Sequence, residues 1–184
     1  MKLIEIIKSC WKSVTNPKKA WKDIEKIKYQ DHTFIFLLFS LMFCLLFLIF
    51  NNFQLKEIIN GFTYFIINLA LLLGVLWAAA RICGAEIKFK KFISHFSIPV
   101  YCFLFLFALV DNLFQILNGF EIILAILFFI LFLYFMYVLY SNLRQIPGMS
   151  FWKSVGSVLL FVILLILIFV FFLSLTILLS LEYI

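Results

Sequence analysis

Five long apolar runs constrain this chain more than any other feature of its sequence. The first of them, residues 33–50, carries no charged side chain. About 20 apolar residues, rising 1.5 Å each in an α-helix, cross the ~30 Å hydrocarbon layer of a bilayer. We therefore predict five transmembrane helices, at residues 33–50, 59–80, 94–117, 122–143 and 155–181.

The composition excludes an ordinary soluble globule. Hydrophobic residues make up 66% of the 184 residues and charged residues 13%, whereas soluble domains are about half apolar and about a quarter charged. A fold of this length exposes much of its surface, and too few polar side chains are present to cover it. The sequence predicts an all-α integral membrane bundle, with an interfacial segment at 1–30 and a transmembrane domain at 31–184.

The basic residues predict the orientation, because Lys and Arg accumulate in cytoplasmic loops. With five spans, fourteen of the fifteen basic residues lie on one side and only Lys56 lies on the other. A wrong number of helices would exchange the sides of every later loop. We expect a multi-pass protein of the inner or plasma membrane, with its N-terminus in the cytoplasm and its C-terminus outside.

The net charge of +6 does not indicate nucleic acid binding, because the basic residues are interleaved with apolar helices. Only Arg81 and Arg144 are arginines, so bidentate recognition of phosphates has few candidates. An anionic membrane surface is the partner that this pattern favours.

Three segments on the basic side have the pattern of amphipathic helices. Residues 3–14 place apolar side chains at helical spacing, and Asn16 is expected to cap a second short helix that starts at Pro17. Residues 88–96 repeat the pattern just before the third span. Trp or Phe opposite Lys favours a helix lying in the membrane interface. The residues predicted to contact anionic lipid head groups or a protein partner are Trp11, Pro17, Lys18, Lys19, Trp21, Lys22, Lys88, Lys90 and Lys91.

Within the spans, small and polar residues are the candidates for packing and function. Ala70, Gly74 and Ala78 recur every four residues, which favours close helix packing and a central position for the second span; the alternative is that Ala and Gly are simply common in spans. Polar groups in lipid are expensive and often functional. The polar candidates are Asn68, His95, Asp111, Asn112 and Gln115. For Asp111, we favour a place at the outer interface over a transport role.

The sequence shows no pattern of a catalytic or metal site. No nucleophile lies beside a base and an orienting group, and no phosphate-binding loop is present. Cys10, His32, Cys83 and His95 share one side, but their spacing matches no zinc pattern. We expect no enzymatic activity, no cofactor and no bound metal.

Two segments carry a resemblance to a known family. The stretch NPKKAWKDI at 16–24 and the stretch CGAEIKFKKFISHFSIPVY at 83–101 resemble those of the Yip family of multi-spanning membrane proteins, in its bacterial form. The resemblance implies a bacterial membrane protein without assigned catalysis, with Pro17, Gly84 and Pro99 as structural determinants. In eukaryotic members, vesicle traffic and binding of small prenylated GTPases are linked to an acidic Gly-Pro motif, and this sequence has no such motif.

The leading hypothesis is a non-enzymatic membrane scaffold that binds lipid, a membrane-protein partner or a second copy of itself. The alternative is a transporter or lipid-handling protein with a path between the second and third spans, near Asn68 and Asp111.

Overall fold

The computed structural model describes residues 8, 11–12, 15–17, 29–50, 55–116 and 119–181. Within these ranges the chain forms five long helices and no strand, which confirms the predicted all-α bundle. The helices are α1 (Tyr29–Phe50), α2 (Leu55–Ile82), α3 (Phe89–Ile116), α4 (Glu121–Leu143) and α5 (Phe151–Leu181).

The lengths of the helices suit a membrane. Among the described residues, four helices contain an apolar stretch long enough to cross a bilayer, and α1, with 22 residues, contains the shorter stretch Ile35–Leu46. α3 begins at Phe89 and α5 at Phe151, before the predicted starts at 94 and 155. The amphipathic turn that precedes each apolar run is already helical and continues into the span.

Aromatic rings of α1, α2 and α3 pack together where the three helices meet. The Phe65 side chain is fully buried, and its ring centroid lies 5.7 Å from that of Phe36, 4.7 Å from that of Phe43 and 5.7 Å from that of Tyr101. These separations are typical of favourable aromatic pairs. Because lipid is as apolar as the protein interior, such close packing is what holds membrane helices together.

α3 is the most buried span in the described part of the chain. In α3, 61% of the span is buried inside the bundle, against 33% in α2, 22% in α4 and 11% in α5. Besides its contacts with α1 and α2, α3 packs Phe103 against Phe135 of α4, with ring centroids 4.8 Å apart. α2 also contacts three other helices, α1, α3 and α5, in keeping with its predicted central position.

Two of the three predicted packing residues of α2, Ala70 and Gly74, make no close helix contact with the described part of the chain. A Cβ added at Gly74 would meet nothing within 4 Å, and Ala70 is exposed. The buried face of α2 instead carries larger side chains, among them Leu69, Leu73 and Leu76. Burying these larger side chains gives more van der Waals contact than burying Ala70 and Gly74 would. Ala70 therefore lies on the exposed face of α2.

We expect Phe65→Ala to destabilise the bundle, because it leaves a cavity where the three helices meet. The loss in free energy of unfolding should be about 2 kcal/mol, the cavity part of the cost of such a truncation. Thermal unfolding in detergent measures it. The control is Phe129→Ala on α4, where the ring is 60% exposed; an equal loss for both variants would contradict the packing described above.

Candidate functional site at the basic end of the bundle

Most of the described basic side chains lie at one end of the bundle, which we call the basic end. α2 and α4 end there, while α3 and α5 begin there. The α2–α3 loop (83–88) and the α4–α5 loop (144–150) close this end. Its exposed basic residues are Arg81, Lys88, Lys90, Lys91, Arg144 and Lys153.

Two glycines let the two loops touch. Gly84 has φ +92° and Gly148 has φ +82°, a region that residues with a Cβ rarely adopt. A Cβ at Gly148 would lie 3.5 Å from the Gly84 carbonyl oxygen. The Lys153 ammonium donates to the Gly148 carbonyl at 3.2 Å, a hydrogen bond between the α4–α5 loop and the start of α5. The two loops themselves meet through the close approach of their backbones at Gly84 and Gly148, and a Cβ at Gly84 would lie 3.4 Å from the Lys153 Nζ.

An open cleft of about 420 Å³ lies between the last turns of α2, the α2–α3 loop and the start of α3. Pockets for small molecules have volumes of about 300–1,000 Å³. The residues that line it are Trp77, Arg81, Glu86, Ile87, Lys88 and Phe89.

The cleft has a charged mouth and an apolar floor. Arg81 follows Trp77 by four residues on α2, so the two side chains lie one above the other on the same face. The Arg81 Nη1 donates to the Ala85 carbonyl at 3.1 Å, which fixes the guanidinium at the mouth. On the floor, the Trp77 and Phe89 rings meet edge to face, with centroids 5.1 Å apart. Such a shape suits a ligand with a polar head and an apolar body.

His95 and Asn142 are buried at the basic end but do not line the cleft. His95 is 2% exposed, and its Nδ1 lies 2.7 Å from the Lys91 carbonyl oxygen. Because a carbonyl can only accept, Nδ1 must be the protonated nitrogen. Asn142 is fully buried and donates from Nδ2 to the Val138 carbonyl at 3.0 Å. Pro99, also buried, lacks the N–H that would otherwise bond to the His95 carbonyl.

The described amide candidates Asn68 and Asn112 each form a hydrogen bond within their own helix. Asn68 donates to the Tyr64 carbonyl at 2.8 Å, and Asn112 donates to the Ala108 carbonyl at 2.7 Å. Each amide thus bonds to its own helix. Asp111 is exposed, and the side chain of Gln115 lies outside the described residues.

The predicted interfacial residues have mixed outcomes. Trp11 is 70% exposed and Pro17 is buried, while Lys18, Lys19, Trp21 and Lys22 lie outside the described residues. The segment 88–96 is not an interfacial helix, because it forms the first two turns of α3. Its Phe92 and Phe96 rings stack 4.3 Å apart and are fully buried. Aromatic packing within the bundle therefore takes the apolar face that was expected to enter the membrane surface.

Sequence reasoning found only Lys88 among the lining residues of the cleft. Trp77 and Arg81 could have been noticed as a Trp and an Arg one helical turn apart at the end of a span, a pattern typical of the membrane interface. The path of the α2–α3 loop brings Glu86, Ile87 and Phe89 beside Trp77 and Arg81 in the cleft. No local sequence pattern predicts that path.

The model of the Yip1 domain family matches residues 11–173, most of the chain. No curated protein and no solved structure matches the chain.

We expect Gly148→Ala to weaken the basic end, because the added Cβ is strained at positive φ. The free energy of unfolding should fall by about 1–2 kcal/mol. Gly74→Ala is the matched control, since it lies mid-helix with open space around it and alanine favours helices over glycine by about 1 kcal/mol. Thermal melting should show a lower midpoint for the first variant alone. Equal midpoints for both variants would refute the strain expected at the positive φ of Gly148.

Proposed function

Because the chain belongs to the Yip1 domain family of membrane proteins, we propose that it is a non-enzymatic membrane scaffold whose basic end binds phospholipid head groups. The basic end faces the cytoplasm in this proposal, with the C-terminus outside. The cleft that combines Arg81 and Lys88 at its mouth with Trp77 on its floor carries the proposal. The cations at the mouth would contact the phosphate of a phospholipid, and the apolar floor would contact the start of its acyl chains.

The surroundings of the cleft support the same role. Trp152 is 78% exposed and Phe151 is 48% exposed at the start of α5, and the Arg144 guanidinium carbon lies 5.9 Å from the centroid of the Phe151 ring. Aromatic rings and basic side chains at the end of a span are typical of the head-group level. Each Lys or Arg near an anionic membrane surface contributes about 1 kcal/mol of attraction.

The outer faces of α4 and α5 supply the scaffold part of the proposal. Only 22% of the α4 span and 11% of the α5 span are buried inside the bundle. Large apolar side chains such as Phe129 and Phe169 are exposed. These faces contact lipid, a membrane-protein partner or a second copy of the chain.

The transport alternative stays a prediction, and proteoliposomes test it. A flux that disappears in both Asp111→Ala and Asn68→Leu would support a path between α2 and α3 and count against the scaffold role. A flux that survives both changes would remove that path.

We expect lipids near Trp152 to be selected by charge. The variant keeps Trp152 as its single tryptophan and has phenylalanine at positions 11, 21 and 77. It is reconstituted with brominated phosphatidylglycerol or brominated phosphatidylcholine. Both lipids quench tryptophan fluorescence on contact. The anionic lipid should bind about two- to fivefold better, as expected for about 1 kcal/mol of attraction. Salt should weaken this preference by screening.

Arg144→Gln should lower the preference about twofold, because it removes a cation beside Phe151 and Trp152. Lys56→Gln is the control, since Lys56 is exposed at the opposite end of α2. Equal quenching by the two lipids at Trp152 would overturn the proposed head-group binding.

A further inference from the structure

The cleft contains one carboxylate, that of Glu86, beside its two cations. A site that only attracts anionic lipid would not need this negative charge. Glu86 lines the cleft together with the cations Arg81 and Lys88. Within the described part of the chain, the Glu86 carboxylate makes no hydrogen bond or ion pair. We infer that the cleft binds one phospholipid whose head group carries both a phosphate and a primary ammonium. This inference rests on the proposed function and specifies which lipid its site takes.

The cations are arranged for the phosphate. The contact with the Ala85 carbonyl holds the Arg81 guanidinium in place and uses one N–H, at Nη1. A guanidinium has five N–H donors, so others remain to bind two phosphate oxygens at once. Lys88, at the other side of the loop, adds a second, compact positive charge.

The carboxylate is suited to the ammonium. Glu86 is exposed and lies beside the Gly148 backbone, since a Cβ there would be 3.7 Å from the Glu86 carboxyl carbon. A primary ammonium donates charge-assisted hydrogen bonds to a carboxylate, whereas a trimethylammonium has no N–H to donate. A purely anionic head group would leave Glu86 with nothing to bind and a like charge nearby.

The floor of the cleft is suited to the apolar part of the lipid. The Trp77 and Phe89 rings meet there, with centroids 5.1 Å apart, and the Phe89 side chain is 47% exposed. We expect the Phe89 ring to contact the first methylenes of a lipid chain.

Trp77 itself can report which lipid occupies the cleft. The variant keeps Trp77 as its single tryptophan and has phenylalanine at 11, 21 and 152. It is reconstituted in phosphatidylcholine vesicles that contain increasing fractions of one brominated lipid. The brominated lipid is phosphatidylethanolamine, phosphatidylcholine or phosphatidylglycerol. We expect phosphatidylethanolamine to bind at Trp77 about two- to fivefold better than either of the others, the range of one exposed ion pair.

The variant Glu86→Gln should reduce that preference to the level of phosphatidylcholine. Glu86→Asp should retain part of it, and Glu121→Gln, which changes an exposed carboxylate at the opposite end of the bundle, should leave it unchanged. An unchanged melting midpoint shows that each variant is folded. A lasting preference in Glu86→Gln would overturn the inference.

The two reporters separate this inference from the proposed function. A preference for phosphatidylglycerol at both Trp77 and Trp152 would overturn the cleft's selectivity while supporting general binding at the basic end. Equal quenching of Trp77 by all three lipids would also overturn the selectivity. Failure of the proposed function itself appears at Trp152, as loss of the charge preference there.

Discussion

The bilayer requires every backbone polar group inside it to find its partner within the protein, and the rest of this structure depends on that constraint. The helices satisfy the backbone, and seven polar side chains along them bond to carbonyls four residues earlier. These are Ser40, Asn68, Asn112, Asn142, Ser154, Ser157 and Thr176. Because these groups serve their own helices, they do not hold the bundle together.

Association of the helices therefore depends on packing, in which α2 and α3 each contact three other helices. The rings of α3 meet α1 and α2 through Tyr101 and α4 through Phe103. The charged side chains lie at the ends of the helices, where the chain leaves the hydrocarbon layer and polar groups can contact water or head groups. At the basic end, Gly84 and Gly148 let two loops touch, and the path of the α2–α3 loop carries Glu86 and Lys88 to the mouth of the cleft.

The helices could be predicted from the sequence, and the cleft could not. A long apolar run in a membrane forms an α-helix, because only a helix satisfies its backbone hydrogen bonds within the segment. The positions of α1 to α5 therefore follow directly from apolar runs such as residues 33–50. The high burial of α3 depends on ring contacts between helices, which no periodicity within one helix reveals. The segment 88–96 was misjudged for the same reason, since its amphipathy looks alike whether Phe92 meets lipid or the bundle. Only the path of the α2–α3 loop brings Glu86 to the cleft that Trp77 also lines.

We propose that the basic end lies at the cytoplasmic surface of the membrane. A single cysteine placed at Lys90, which is exposed at that end, tests this orientation after the four native cysteines are replaced by serine or alanine. A membrane-impermeant maleimide should label Lys90→Cys in broken cells or inverted vesicles and not in intact cells. Labelling of intact cells at this position would contradict the orientation and the lipid-binding role built on it.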